Sequence, residues 1–429
     1  MLRDRSSSGF RSSGTASAIV RDVEPRLTVD LHTHSRFAIG CSRNLNLRTM
    51  AEAARTKGID VLTTGDFTHP AWFAELEAGL SEVADGVYAG PSGGRFVLGA
   101  EVACIWRSGG RGRRVHILLV APGLEAARRL NMQLEAVGRL ESNGRPILGV
   151  SAEQVCRLAW DSDDRFVIIP AHVWTPWYGM YGSKSGFDSI DECFGAAAPS
   201  INAVETGLSS DPAMNWRITD LDGRSIVSFS DAHSPEKLGR EMTVLRAAAT
   251  FSSIRAALLF GQIAETVEFF PEHGKYHLDG HTKCGVRLSP EASATAGGRC
   301  HKCGHPLTLG VLHRNQTLAD RDEVSLRVMD GLVHGAPERP PYRRLVPLAE
   351  IVAWGLDAGA GSVQARKLCS ALADEFGNEL DVLVNISIHD LERVAGERIA
   401  QGIKAMREGR VEIDPGYDGT YGTVTPVLN

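Results

Sequence analysis

The chain has 429 residues, 43% of them hydrophobic and 23% charged, a composition that suits two or three ordinary globular domains. Its formal net charge of −6 argues against a protein that coats nucleic acid through bulk charge, though not against a local basic groove. No apolar run approaches the length needed to cross a bilayer.

Residues 1–25 are rich in Ser, Arg and Gly and lack an apolar core, so they read as a disordered leader and not as a secretory signal. Over 26–267, strand-like segments at 27–33, 60–65, 96–102, 115–120, 166–171, 201–205 and 225–230 alternate with helical stretches such as "NLRTMAEAARTKG" and "SAEQVCRLAW". Ser151 followed by Gln154 has the form of a capping box opening the second of these. Such alternation predicts parallel βα units, closed into a barrel or laid out as an open sheet. A Gly-rich segment with little helical pattern occupies 268–314. From 315 to 429 the pattern is mostly helical and ends in "VEIDPGYDGTYG", too rich in glycine for a helix.

The polar residues collect at the strand ends. In "LTVDLHTHS" the apolar Leu27, Val29 and Leu31 alternate with Asp30, His32 and His34, which puts the latter on one polar side. The second strand runs into "GDFTHP" with Asp66 and His69, the third ends in Glu101, and the fourth starts with His116. The fifth ends in His172, the sixth in Glu205, and the seventh is followed by "SDAH" with Asp231 and His233. In a barrel these ends converge on one face, so convergence favours a barrel over an open sheet. Imidazole and carboxylate without thiolate suit Zn, Mn, Mg or Fe in a hydrolytic site. The candidate ligands His32, His34, Asp66, His69, Glu101, His116, His172, Asp231 and His233 are too many for one ion and suit two or three. Multi-metal sites of this kind hydrolyse phosphate esters, with Glu101 and Asp231 as the bridging or water-orienting catalytic carboxylates.

The eight cysteines do not form a dense disulfide framework, which fits a reducing cytosol. His281-x2-Cys284 and Cys300-x2-Cys303 are two close ligand pairs that predict one structural zinc, with His277 and His305 competing with His281 as the fourth ligand. The surrounding segment has too little apolar content to fold without such a staple.

In this order and on these strands, "DLHTHS", "GAEV", "PAHV" and "SDAH" resemble the polymerase-and-histidinol-phosphatase (PHP) domain. The resemblance implies a distorted (β/α)7 barrel with a trinuclear metal site, and metal roles for His32, His34, Glu101, His116, His172, Asp231 and His233. At the second motif "GDFTHP" departs from the usual Thr-Asp-His, which leaves the choice between Asp66 and His69 open. The longer motifs "TGDFTHPAW", "HVWTPWYGMYGSKSGFDSIDECF", "CGHPLTLGVLHR", "LADR" and "PGYDGTYG" resemble endonuclease Q from about Val29 to Gly422. That resemblance implies an α/β chain: a PHP barrel, a small zinc-binding module and a C-terminal helical domain. It also implies a metal-dependent DNA repair endonuclease that nicks 5′ of uracil, hypoxanthine, xanthine and abasic sites by a metal-activated water. Its partners would be damaged DNA and, beyond that, repair or replication proteins, with a single chain working in the cytoplasm and no membrane. Reaching a base in duplex DNA requires flipping it. Trp174, Trp177, Tyr178 and Tyr181 offer stacking surfaces, and Ser183, Lys184 and Arg314 offer phosphate contacts. The alternative is a PHP phosphoesterase acting on a small phosphorylated metabolite or a DNA end.

Overall fold

The computed structural model describes residues 25–428; the leader expected over 1–25 lies almost wholly outside them. A mixed sheet of 13 strands organises the chain. The strand Arg26–Asp30 runs parallel to Val61–Thr63, which runs parallel to the long strand Arg95–Ser108. Parallel βα packing then gives way. Arg95–Ser108 folds back on Arg111–Ala121 as an antiparallel pair, and Arg111–Ala121 is antiparallel to Val167–Pro170. Ala203–Glu205 and Ser225–Val227 form a separate parallel pair, and Met242–Arg246 closes antiparallel against the first strand.

The expectation of parallel units throughout therefore fails at the third and fourth strands. The reason is local. Gly109 and Gly110 both have positive φ, 58° and 75°. That is what a two-residue hairpin turn between twisted strands requires. "SGGR" thus joins the two segments as one hairpin.

The strand face that carries Glu101 and His116 also carries Val97, Leu118 and Val120. These belong to one apolar cluster with Val29, Val61, Val167, Ile169, Val227 and Phe229. The metal-ligand candidates therefore stand on a packed floor. A larger cluster fills the space between the sheet and its helices. Of the predicted capping box, Ser151 caps the helix Ala152–Ser162 by accepting the Gln154 N–H at 3.2 Å.

The segment after 268 has a small cluster of its own, Val286, Cys300 and Leu307, built around the antiparallel strands Asp279–His281 and Val286–Leu288, while Phe270 and Val311 join the larger cluster. The helix Val311–Leu318 carries the chain past Asn315, but helix does not continue from there. Three short strands, Arg327–Met329, Leu332–His334 and Tyr342–Arg344, join the large sheet before the next helix begins at Leu348. Five helices follow, from Leu348–Gly355 to Glu397–Arg407. The Gly-rich tail forms the antiparallel strands Val411–Asp414 and Thr423–Pro426 and returns to the 268–314 segment, where Leu278 N–H donates to the Gly416 carbonyl. Among the described residues, no helix is long and apolar enough to cross a membrane.

Candidate metal centre

Two groups of ligand atoms share one carboxylate. His32, His34, Glu101 and Asp231 each place an atom within 4.8 Å of the others, and Glu101, His116 and His172 do the same. Glu101 Oε2 lies 3.3 Å from His34 Nε2 and 3.6 Å from His32 Nε2, while Asp231 Oδ1 lies 3.2 and 3.4 Å from the same nitrogens. Glu101 Oε1 faces the other way, 2.7 Å from His116 Nδ1 and 3.0 Å from His172 Nε2. One oxygen per group is the geometry of a bridging carboxylate.

The donors fit divalent ions. His32 Nε2, His34 Nε2 and Asp231 Oδ1 are buried polar atoms with no hydrogen-bond partner, which a native fold tolerates only where something satisfies them. Their opposite ring nitrogens are oriented from behind, as ligating histidines are. His32 Nδ1 meets both Glu205 oxygens at 2.9 and 3.0 Å, His34 Nδ1 meets Asp66 Oδ1 at 2.9 Å, and His172 Nδ1 meets Thr175 Oγ1 at 2.9 Å.

This arrangement separates the strand-end residues. Asp66 stands behind His34, and its second oxygen accepts from the Ser35 N–H and hydroxyl at 2.6 and 2.7 Å. His69 lies outside both groups and stacks on Phe37 at 4.4 Å. His233 packs its ring edge-on against His34 at 4.7 Å, and its Nδ1 donates to the Asp231 carbonyl at 2.9 Å. Asp30 is spent on the Ser230 and Gly239 N–H groups, which ties the first strand to the loop bearing Asp231.

The electrostatics keep the site charged and tense. Burial opposes ionisation of Asp231, yet His32, His34 and His233 hold its carboxyl well below the usual range. Burial likewise opposes ionisation of Glu101, and His116, Arg145 and His32 override it. Burial brings His116 down to about 4 against the pull of Glu101, leaving a neutral ring able to ligate. Asp66, His172, Tyr178 and Asp231 all adopt positive φ, between 31° and 67°. For non-glycine residues this strain gathers where function constrains the backbone.

Sequence reasoning missed two residues here. Glu205 was visible as a strand end, but its role behind His32 was not; it also accepts the His172 N–H at 2.7 Å. Arg145 gave no signal at all in "SNGRPI". Its Nη1 lies 3.0 Å from Glu101 Oε2, placed there by a chain segment that only glycine allows. A Cβ at Gly144 would stand 2.4 Å from Asp66 Oδ2 and 2.8 Å from the Ala38 nitrogen.

The second cluster joins His281, Cys284, Cys300 and Cys303 within 4.8 Å. His305 stays outside it, its ring 6.1 Å from that of His281, and His277 is buried elsewhere. Burial opposes ionisation of Cys300, but the Lys302 and Cys303 N–H groups bring its thiol down to about 6, so it stands ready as a thiolate ligand.

The loop after His172 differs from expectation. Trp174 is 1% exposed, with its Nε1 donating to Asn215 Oδ1 at 2.8 Å, which leaves no face for a base. Tyr181 is equally buried and bonds Asp220. Arg314 donates to the Tyr181 and Phe187 carbonyls at 2.9 and 3.0 Å and pairs with Asp188, so its guanidinium is committed to the loop and not free for phosphate. Ser183 Oγ donates to the Leu309 carbonyl at 3.1 Å. Tyr178 is half-buried and stacks on His116 at 4.2 Å, and Lys184 and Trp177 are exposed.

A family model of the MJ0043 C-terminal domain matches residues 347–410. The uncharacterised protein MJ0043 of Methanocaldococcus jannaschii is 31% identical over 295 residues, 65% of this chain. The match spans 35% of the length of MJ0043. The lesion-specific endonuclease PfuEndoQ of Pyrococcus furiosus superposes with a TM-score of 0.81 at 32% identity, covering 94% of this chain and 96% of its own. An endonuclease Q complexed with a 27-mer duplex carrying an abasic lesion at its active site gives a TM-score of 0.83, 32% identity and coverage of 94% and 97%. Shared over nearly their whole lengths in both sequence and fold, these features show that the chain belongs to the endonuclease Q family.

Proposed function

We propose that this chain is a DNA repair endonuclease that hydrolyses the phosphodiester 5′ of a deaminated base or an abasic site. The observation that carries the reading is Glu101, which presents one carboxylate oxygen to each of two histidine-bearing groups within a chain that matches a lesion-specific nuclease end to end. His32, His34, Glu101 and Asp231 would hold one divalent ion, and Glu101, His116 and His172 another. Such ions supply charge stabilisation and a water acidified toward neutral pH.

The chain's own residues do the remainder. Glu205 and Asp66 fix the ring planes of His32 and His34, so the ligand atoms need no rearrangement. Arg145 brings a permanent positive charge to the rim beside Glu101. Water attacks phosphorus, the bond to the 3′ oxygen breaks, and the products are a 3′-hydroxyl and a 5′-phosphate. Extruding a base costs a few kcal/mol, least where pairing is already weak. Tyr178, which stacks on His116, and the exposed Trp177 would offer aromatic faces to an extruded residue.

The test uses end-labelled duplexes carrying one uracil, one hypoxanthine, one abasic site or no lesion, incubated with Mn²⁺ or Mg²⁺. A single nick 5′ of each lesion, absent from the undamaged duplex and lost in Asp231→Ala, is expected. Uniform degradation from the ends, or phosphate release from small esters with DNA untouched, would overturn the reading.

A further inference from the structure

The hairpin "IWRSGGRGRR" carries four arginines, Arg107, Arg111, Arg113 and Arg114, and no acid, in a chain whose net charge is −6. It also reaches beyond its neighbours. The strand Arg95–Ser108 is flanked by Ile147–Leu148 only at Ala103 and Cys104, and Arg111–Ala121 by Val167–Pro170 only from Ile117 to Val120. Past these points the ribbon is two strands wide, edged by the Tyr178 and Ser185 carbonyls, which accept the His116 and Arg114 N–H groups.

Register assigns the arginines to faces. Glu101 pairs with Leu118, Ala103 with His116, Ile105 with Arg114 and Arg107 with Gly112. Paired residues share a face, and alternate residues along a strand return to it. Arg114 and Arg107 therefore stand on the face that bears the metal-ligand candidates Glu101 and His116. Each step of two residues along the ribbon is about 7 Å, comparable to the spacing of successive phosphates along a nucleic-acid strand. Arg111 and Arg113 point to the opposite face with Trp106. There Arg113 is used up: it bonds the Gly186 carbonyl and lies 4.0 Å over the Phe187 ring.

The free arginines are exposed and barely engaged. Arg107 makes one 3.4 Å bond to the Gly110 carbonyl of its own turn, and Arg114 lies 5.9 Å over the Tyr178 ring. No ion pair among the described residues involves either. Exposed guanidinium groups with no anionic partner, set at regular steps from a phosphate-ester site, complement a polyanion.

We infer that the 105–114 ribbon is a backbone-tracking surface for duplex DNA, with Arg114 and Arg107 contacting successive phosphates beside the bond to be cut. The inference rests on the proposed function. It adds the surface that seats the duplex and assigns Arg111 no part in it.

The experiment measures binding of the metal-loaded full chain to a fluorescent undamaged duplex across a salt series, with nicking of an abasic duplex run in parallel. Each lost phosphate contact lowers the slope of log K against log salt by about 0.9. Arg107→Gln/Arg114→Gln is expected to lose about two units of slope and to raise KM at least tenfold. Lysine at both positions restores the slope, and Arg111→Gln matches wild type. An unchanged slope in the double variant, or an equal loss in Arg111→Gln, overturns the inference while wild-type nicking leaves the function standing. Conversely, a slope change without any nicking by wild type sinks the function and leaves the ribbon. Wild type that binds no DNA overturns both.

Discussion

Glu205 offers a test of the metal centre that does not depend on catalysis. It is fully buried, and its two oxygens serve two donors: His32 Nδ1 at 2.9 and 3.0 Å and the His172 backbone N–H at 2.7 Å. Glu205→Gln keeps the volume but exchanges one acceptor for an NH2 group. One of the two donors must then face another donor, so either the His32 ring turns or the backbone at His172 shifts. Loss of such an outer partner typically costs 10- to 100-fold in metal affinity, or about 1.4 to 2.7 kcal/mol. Glu205→Ala adds two unpaired buried groups, at roughly 1–3 kcal/mol each, and is expected to lower Tm as well. The assay is competition for Zn²⁺ or Mn²⁺ against a chelating dye, with metal content per chain read directly. Affinity within twofold of wild type in Glu205→Gln would refute the placement of His32 as a ligand oriented by Glu205.

Other outcomes follow from the same geometry. Arg145→Met leaves Glu101 with one cation fewer, so metal addition is expected to raise Tm more in this variant than in wild type; an equal rise would show that the Arg145 contact carries no weight. Gly144→Ala drives a methyl into Asp66 and the Ala38 backbone and is expected to cost about 1–3 kcal/mol in denaturant unfolding. Cys300→Ser is expected to remove one zinc per chain and make the 268–314 segment protease-sensitive, with the ions at Glu101 retained. In wild type, zinc retention against a chelator falls as pH drops through about 6, because Cys300 must lose its proton to ligate.

Much of the centre was legible because chemistry and periodicity coincide there. His32, His34, Glu101, His172 and Asp231 sit at ends of short apolar runs, and no other feature of a soluble chain gathers imidazoles so consistently at one end of its strands. The two metal groups then divide them in a way spacing cannot reveal. Whether a carboxylate ligates or stands behind a ligand depends on a few ångströms of backbone, which is why Asp66 reads as a candidate ligand and Glu205 only as a strand end in sequence, while both face imidazole Nδ1 atoms in space. The antiparallel hairpin was missed because strands at 96–102 and 115–120 satisfy a parallel pattern equally well when read one at a time; the Gly109-Gly110 turn carried the missing signal. Arg145 was invisible, since its importance comes from Gly144 lying against Asp66, a contact between residues far apart in the chain. Aromatic side chains in a loop are ambiguous for the same reason. Trp174 and Tyr178 differ by four positions, yet one is core and the other faces the site.

The loop between His172 and Phe187 leans on the segment that carries the His281, Cys284, Cys300 and Cys303 cluster. Left alone, a stretch with Gly179, Gly182 and Gly186 would have little to fix its course. Instead it is fastened from several sides: Tyr181 and the Ile190 N–H bond Asp220, Ser183 bonds Leu309, Arg314 bonds the Tyr181 and Phe187 carbonyls, and Trp177 packs edge-on against Tyr276 at 5.6 Å. Tyr276, Leu309 and Arg314 all belong to the 268–314 segment, which also holds the cluster of His281, Cys284, Cys300 and Cys303. That segment has almost no apolar core of its own, so its rigidity rests on the ligand cluster. Rigidity passes from there to Trp177 and Ser183, and on through Tyr178 to the ring of His116. The cysteine cluster is distant from His116 in chain order, yet the segment that carries it packs against the loop whose Tyr178 stacks on that ring.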